Sequence, residues 1–314
     1  MNKPDTEDSP VPSPEYQHRC GLVALVGRPN VGKSTLLNRL VGQKISITAR
    51  RPQTTRHRIL GISTHPDHQA IYLDTPGLHR GEKRAMNRYL NHTASTTLEE
   101  VDLVLFVVAG SQWTAEDAGV LQRLTALTIP VVMVINKVDL IRDKAQLLPH
   151  LQHLESKGRF AALVPLSAEC GDNLTALERV VASHLPLAPP LYPPDQVTDR
   201  SLRFLAEELV REKLTRHLGA ELPYALSCQV ERFEEERGLA RIWVVIWVER
   251  PGQKAIVIGN RGATLKRVGQ EAREEMERIF DGKVHLTLWV RVRKDWSDDE
   301  SALKELGYQE WGST

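Results

Sequence analysis

Short runs of consecutive apolar residues alternate with stretches in which apolar positions recur every three or four residues through the first 185 residues of the chain. The runs Leu22 to Val26, Ala70 to Leu73, Leu103 to Val108, Val131 to Ile135 and Leu163 to Leu166 read as strands buried on both faces. Helical periodicity marks Lys33 to Leu40, Lys83 to Thr97, Ala115 to Ala126, Ala145 to Leu154 and Asn173 to Ser183. This alternation predicts an α/β domain, a doubly wound, mostly parallel sheet covered by helices. Arg58 to Ser63 and Gln69 to Leu73, divided by a polar turn at Pro66, predict one antiparallel hairpin within it.

Pro186, Pro189, Pro190, Pro193 and Pro194 end that pattern, because each fixes φ and removes a backbone donor. Residues 186–199 are therefore expected to be a linker. Beyond it the pattern changes to a helix from Ser201 to Leu218, strands near Tyr224 to Arg232 and Leu239 to Glu249, helices on both sides of Gly259 to Gly262, and a strand from Val284 to Arg293. The order αββααβ predicts a smaller α+β domain over residues 200–314, ending in an acidic and polar tail from Asp298. Residues 1–19 are acidic and proline-rich without an apolar core, so a disordered tail is expected there, leaving 20–185 to the first domain.

Three motifs stand at the ends of strand-like runs. GRPNVGKS, with Thr35 after it, lies between the first run and the first helix. Gly27 and Gly32 let the loop through Arg28, Pro29, Asn30 and Val31 turn its backbone N–H groups, of which Pro29 has none, onto phosphate oxygens, Lys33 reaches the outer phosphates, and Ser34 offers a hydroxyl to magnesium. DTPG follows Leu73: Asp74 is the expected water-mediated partner of the same ion, and Thr75, Pro76 and Gly77 form a loop that approaches the γ-phosphate. NKVD follows Ile135. Asp139 can accept from the N1 and N2 protons of guanine, which adenine does not offer, while Asn136 and Lys137 brace the loop. Ser167 and Ala168 follow another apolar run, and the Ala168 backbone is a further donor for the guanine oxygen. A phosphate loop alone also fits ATPases and small-molecule kinases; NKVD excludes them.

A length of 314 residues at 41% hydrophobic supports two cored domains. Three widely spaced cysteines argue against a disulfide framework or a zinc site and for a reducing compartment. None of the eleven histidines has a ligand partner at zinc spacing. No secretory signal, transit peptide or membrane-length apolar run is present. Residues 250 to 270 carry Arg250, Lys254, Arg261, Lys266 and Arg267 and no acidic residue, within a region that is otherwise balanced in charge. Gly259, Asn260, Arg261 and Gly262 form a GXXG turn, the RNA-clamping loop of KH modules, for which Ile256 and Ile258 would pack bases and Arg261, Lys266 and Arg267 would meet phosphates. Trp243, Val245 and Trp247 alternate as one buried sheet face would, so with Trp289 they stay outside the site.

GQKISIT at Gly42 to Thr48, PQTTRHRI at Pro52 to Ile59, DTPGLH at Asp74 to His79, GAELPY at Gly219 to Tyr224 and VIGNRGATLK at Val257 to Lys266 join these motifs. Together they resemble the Era family, GTPases with one P-loop GTPase domain and a carboxyl-terminal type II KH domain. The resemblance spans Gly21 to Tyr308. It implies a GTP-hydrolysing switch using GTP or GDP and magnesium, bound to the 3′ end of 16S ribosomal RNA during 30S subunit assembly. A monomer in the bacterial cytoplasm is implied, with some peripheral contact with the inner face of the membrane. It matches Thr55, with Thr54 the alternative, to the switch threonine that meets magnesium when a γ-phosphate is present. Leu78 stands where many small GTPases orient water with glutamine, so slow intrinsic turnover is expected. In similar switches Asn30 helps hold a potassium ion; here it is equally a turn residue. The catalytic set so assigned is Lys33, Thr55, Gly77 and Asn30.

Overall fold

A computed structural model of the chain describes residues 18–49, 54–76, 85–86, 89–90, 98, 100–110, 112–143, 145, 147–219 and 222–308. Most of the expected tail and of the helix Lys83 to Thr97, together with Gly77 and Leu78, lies outside the described residues.

Six strands form the first sheet in the order β2-β3-β1-β4-β5-β6. They are β1 (Arg19–Val26), β2 (Ile59–Thr64), β3 (His68–Asp74), β4 (Leu103–Ala109), β5 (Val131–Asn136) and β6 (Ala162–Pro165), and only β2 runs antiparallel to its neighbour. Strand β4 explains why such strands are uninterrupted apolar runs. Leu103, Leu105 and Val107 enter the core on one face, while Val104, Phe106 and Val108 enter the core on the other. Helices α1 (Lys33–Val41), α2 (Ala115–Leu124), α3 (Leu147–Glu155) and α4 (Leu174–His184) connect them. α2 opens with a capping box, in which Asp117 accepts from the Thr114 N–H at 2.9 Å and the Thr114 hydroxyl accepts from the Asp117 N–H.

The linker is docked along the sheet edge. Gln69 Oε1 accepts from the N–H groups of Leu191 and Tyr192, Gln69 Nε2 donates to the Tyr192 carbonyl, and the Ile62 N–H donates to the Val197 carbonyl.

In the second domain, α5 (Leu202–His217) and α7 (Ala263–Ile279) pack on a sheet of β7 (Leu226–Glu236), β8 (Leu239–Val248) and β9 (Lys283–Val292), with α6 (Pro251–Ile258) beside them. β7 and β8 are antiparallel, and β8 and β9 are parallel. The αββααβ order stands, with two corrections. Ile242, Val244, Ile246 and Val248 face the core. Trp243, Val245 and Trp247 lie on the opposite face, where Val245 is fully buried, Trp247 packs on the cluster around Trp296, and Trp243 lies under Arg232; Trp289 is 55% exposed. The acidic stretch after Asp298 contains α8 (Glu300–Glu305), capped by Asp299. Its Ala302 and Leu303, with Leu306, Tyr308 and a fully buried Trp296, pack against Ala85, Met86 and Leu90, so this end of the chain reaches back to the first domain.

Candidate functional site

The phosphate loop occupies the turn between β1 and α1, and its residues line a cleft with Ile47, Thr48, Thr54 and Thr55. Gly32 has φ +101, and a Cβ there would stand 2.3 Å from Asn136 Nδ2. Glycine is required by both conformation and space. Lys33 Nζ donates to the carbonyls of Gly27 and Arg28 at 2.8 and 3.0 Å. Burial lowers its ammonium pKa to about 8, against the pull of Asp74. Arg28 Nε donates to Asp117 Oδ2 at 3.2 Å, which ties the loop to the cap of α2.

Three hydroxyls converge on Asp74 at the end of β3. Its Oδ2 accepts from Ser34 at 2.7 Å, Ser46 at 3.0 Å and Thr55 at 3.3 Å, and the hydroxyls of Ser34 and Thr55 are 2.9 Å apart. Asp74 is fully buried, and among the described residues its Oδ1 meets no hydrogen-bond donor. Burial raises its carboxyl pKa, opposed by Lys33 and these three hydroxyls. A buried, unpaired carboxylate oxygen beside two hydroxyl oxygens is a donor set suited to magnesium, so the residues fit that ion. Thr75 is buried and donates to the Leu25 carbonyl at 3.2 Å; Pro76 is buried beside it.

At the base end Asn136 joins three loops. Its Nδ2 donates to the Val31 carbonyl, and its Oδ1 accepts from the N–H groups of Lys137 and Ala168, all within 2.8 to 2.9 Å. Lys137 Nζ donates to the Asn30 carbonyl at 2.6 Å, with both residues in left-handed backbone conformations. The Ser167 hydroxyl donates to Asp139 Oδ1 at 2.6 Å, while Arg39 holds the carbonyls of Ala168 and Glu169. The pocket therefore has a glycine-rich phosphate end and a carboxylate end aimed by serine.

A family profile described as "50S ribosome-binding GTPase" matches residues 22–137, and one described as "KH domain" matches residues 221–297. GTPase Era of Pseudomonas fluorescens (strain Pf0-1) is 56% identical over 290 residues, covering 92% of this chain and 97% of that protein. The chain belongs to the Era family of GTPases. GTPase Era of Yersinia pestis (strain Pestoides F) is also 56% identical, over 92% of this chain. Two Era crystal structures superpose with TM-score 0.90 at 37% identity, covering 93% of this chain and 100% of each. One is a variant of Aquifex aeolicus Era bound to GDP.AlF4-; the other is a complex with MgGDPNP and nucleotides 1506-1542 of 16S ribosomal RNA. Like its relatives in the Era family, this chain is a GTPase.

The GXXG turn of the Era-type KH domain lies between α6 and α7. Gly259 (φ +75) could not carry a Cβ, which would fall 2.2 Å from Thr264 Oγ1, and Arg261 and Gly262 are also left-handed. Asn260, Arg261, Lys266 and Arg267 are exposed, Ile256 is 57% exposed, and Ile258 is half-buried against the domain core. Arg267 Nη2 donates to His217 Nδ1 at 2.8 Å.

Some residues of the site escaped the sequence reading. Ser46 reaches Asp74 because the Asn38 side chain accepts from the N–H groups of Ile45 and Ser46 and donates to the Ser46 carbonyl. The only signal was the GQKISIT string. Arg211, Glu212 and Lys213 of α5, which contact or neighbour the Lys44 to Thr55 stretch, gave no signal.

Proposed function

We propose that this Era-family GTPase is a switch that binds the 3′ end of 16S ribosomal RNA and assists 30S subunit assembly and rRNA maturation in the cytoplasm. One observation carries the reading: a guanine-type nucleotide pocket and an exposed GXXG turn are built into one chain and joined by polar contacts. The Era complex holding MgGDPNP and a 16S rRNA fragment, 37% identical over nearly the whole chain, supports the same pairing.

Ser34 and Thr55 would hold magnesium directly and Asp74 would hold it through water, with Gly27 to Thr35 cradling the phosphates of GTP or GDP. Magnesium held by these residues would supply positive charge against the negative charge that develops as the γ-phosphoryl leaves. Lys33 would exchange its two loop carbonyls for outer phosphate oxygens. Asp139, oriented by Ser167, would read guanine, with the Ala168 N–H at the guanine oxygen. Gly77 and Leu78 lie outside the described residues; from the sequence, Gly77 is assigned to the γ-phosphate, and the apolar Leu78, with no hydrogen bond to offer the attacking water, is assigned to slow turnover. Asn30 is assigned to a potassium ion that supplies charge in place of an arginine finger; equal rates in potassium and sodium would remove that assignment.

The deciding experiment measures binding of a short RNA copied from the 3′ end of 16S rRNA, with GDP and with a non-hydrolysable GTP analogue, against a scrambled RNA at fixed salt. Selective, nucleotide-dependent binding is expected. Lys266→Glu with Arg267→Glu should weaken it and lower the salt slope by about 1.4, two single-strand phosphate contacts. Weak, unselective binding in both states would instead favour a protein partner or, if anionic vesicles bind better, the membrane surface.

A further inference from the structure

A polar bridge crosses from the second domain to the nucleotide pocket. Arg211 on α5 is 2% exposed. Its Nε and Nη2 donate to the two carboxylate oxygens of Glu208 at 2.7 and 2.5 Å, and Nη2 also donates to the Thr54 carbonyl. Thr55, the next residue, sets its hydroxyl between Ser34 and Asp74. Burial raises the Glu208 carboxyl pKa, but the Arg211 guanidinium outweighs it and holds the group below its ordinary range. With Nε and one Nη2 proton committed to Glu208, the other Nη2 proton is aimed at the Thr54 carbonyl of the switch segment.

The same face of the second domain grips the segment further back. Glu212 accepts from the Thr48 N–H and hydroxyl at 3.1 and 3.2 Å, and Lys44 Nζ bridges Glu212 and Glu275 at 2.5 and 2.6 Å. Neither Ser34 nor Asp74 depends on this face, since both stand on the first domain's own elements. Of the three proposed magnesium partners, only Thr55 follows directly on a residue held by the second domain.

We infer that Arg211 is a positioning residue for GTP hydrolysis: by fixing the Thr54 carbonyl it sets the Thr55 hydroxyl where Ser34 and Asp74 meet it. The RNA-binding domain thereby completes the nucleotide site from outside it. This rests on the assignment of Thr55 to the magnesium shell, and the effect is confined to the γ-phosphate state, in which that hydroxyl is engaged.

Two full-length variants test it. Glu208→Leu with Arg211→Met removes both buried charges together, so neither is stranded. Arg211→Lys keeps the charge but loses the fork. Each is compared with the parent for melting temperature, GTP turnover, and the magnesium concentration giving half-maximal response with GDP and with a non-hydrolysable GTP analogue. Loss of one charge-assisted contact predicts kcat lower by about tenfold, KM for GTP within about twofold, and a magnesium midpoint about tenfold higher with the analogue but unchanged with GDP. Folded variants with parental kcat and midpoints would overturn the inference, as would equal shifts of both midpoints, which mark general loosening. Should neither variant fold, Glu208→Asp keeps both charges while shortening the arm that aims the fork, and must shift the analogue midpoint alone by about threefold; parental behaviour there also overturns it. A parent whose two midpoints coincide would instead contradict the Thr55 assignment itself.

Discussion

Raising the pH should weaken nucleotide binding before it disturbs anything else in the pocket. Lys33 is 7% exposed, and burial lowers its ammonium pKa from an ordinary 10.5 to about 8, only partly countered by Asp74. Polyphosphate oxygens favour the charged form, so the bound pKa rises and binding above pH 8 takes up a proton. With the empty site half-deprotonated near 8, affinity should fall about fourfold from about pH 7 to about pH 8.5, roughly 0.8 kcal/mol. Calorimetry of GDP binding in two buffers of different ionisation heat should then report an uptake of about 0.8 proton at about pH 8.5. Lys33→Arg cannot lose its charge; its affinity, whatever its level, should be flat over this range. Flat affinity and no proton uptake in the parent would refute the reasoning, because a lysine that stays charged in the empty site has nothing to gain from phosphate in protonation.

Two further predictions concern acid stability and base choice. His57 stacks on Tyr308 at 4.7 Å and meets the edge of Phe204 at 5.3 Å, and burial lowers its pKa from 6.5 to about 3. The unfolded chain protonates near 6.5 while the fold keeps the ring neutral, so stability is unaffected above that value and falls as pH drops towards 3. His57→Gln should remove about 1.4 kcal/mol per pH unit from the slope between about pH 6 and about pH 4 in chemical denaturation. Glu207, raised by burial to about 7, titrates in the opposite sense, so the test is the difference between variant and parent; equal slopes would place His57 in water. Asp139→Asn replaces an acceptor pair by a mixed group and should cost on the order of a hundredfold in GDP affinity while favouring a xanthine nucleotide. A GDP affinity like the parent's, measured by competition, would remove Asp139 from base recognition.

The nucleotide site was legible because its chemistry is local. GRPNVGKS must be glycine-rich to bring backbone to phosphate, and its strand is an apolar run because both faces of a parallel sheet are covered. What escaped was non-local or two-sided. Period-two spacing puts Trp243 and Trp247 on one face of β8 without saying which, and the opposite face won because Ile242, Val244, Ile246 and Val248 fit the helix-covered core. Prolines correctly stopped helix and strand at 186–199, yet a proline-fixed extended chain can still dock, and Gln69 captures this one. In the stretch after Asp298 the charges mask a helix signal, for Asp299 ahead of Ala302, Leu303 and Leu306 is a cap followed by an apolar face.

Helix α5 is where sequence and structure diverge most, and the divergence has a single cause. Charged residues are ordinarily solvated, yet Glu208, Arg211, Glu212 and Lys213 are each no more than 5% exposed. The helix is buried on one side by its own sheet and on another by Lys44, Thr48 and Thr54, so it needs apolar residues for the first contact and polar residues for the second. That second surface offers backbone carbonyls, an N–H, a hydroxyl and a lysine, which leucine could not satisfy. Buried ion pairs contribute little net stability against an apolar replacement, but losing one partner strands the other at about 3 to 5 kcal/mol. The interface is thus tolerant of removing charges in pairs and intolerant of sliding out of register. A contact with those properties holds two domains in one relative placement and yields only when several bonds change together, as the proposed coupling of nucleotide state to RNA binding would require.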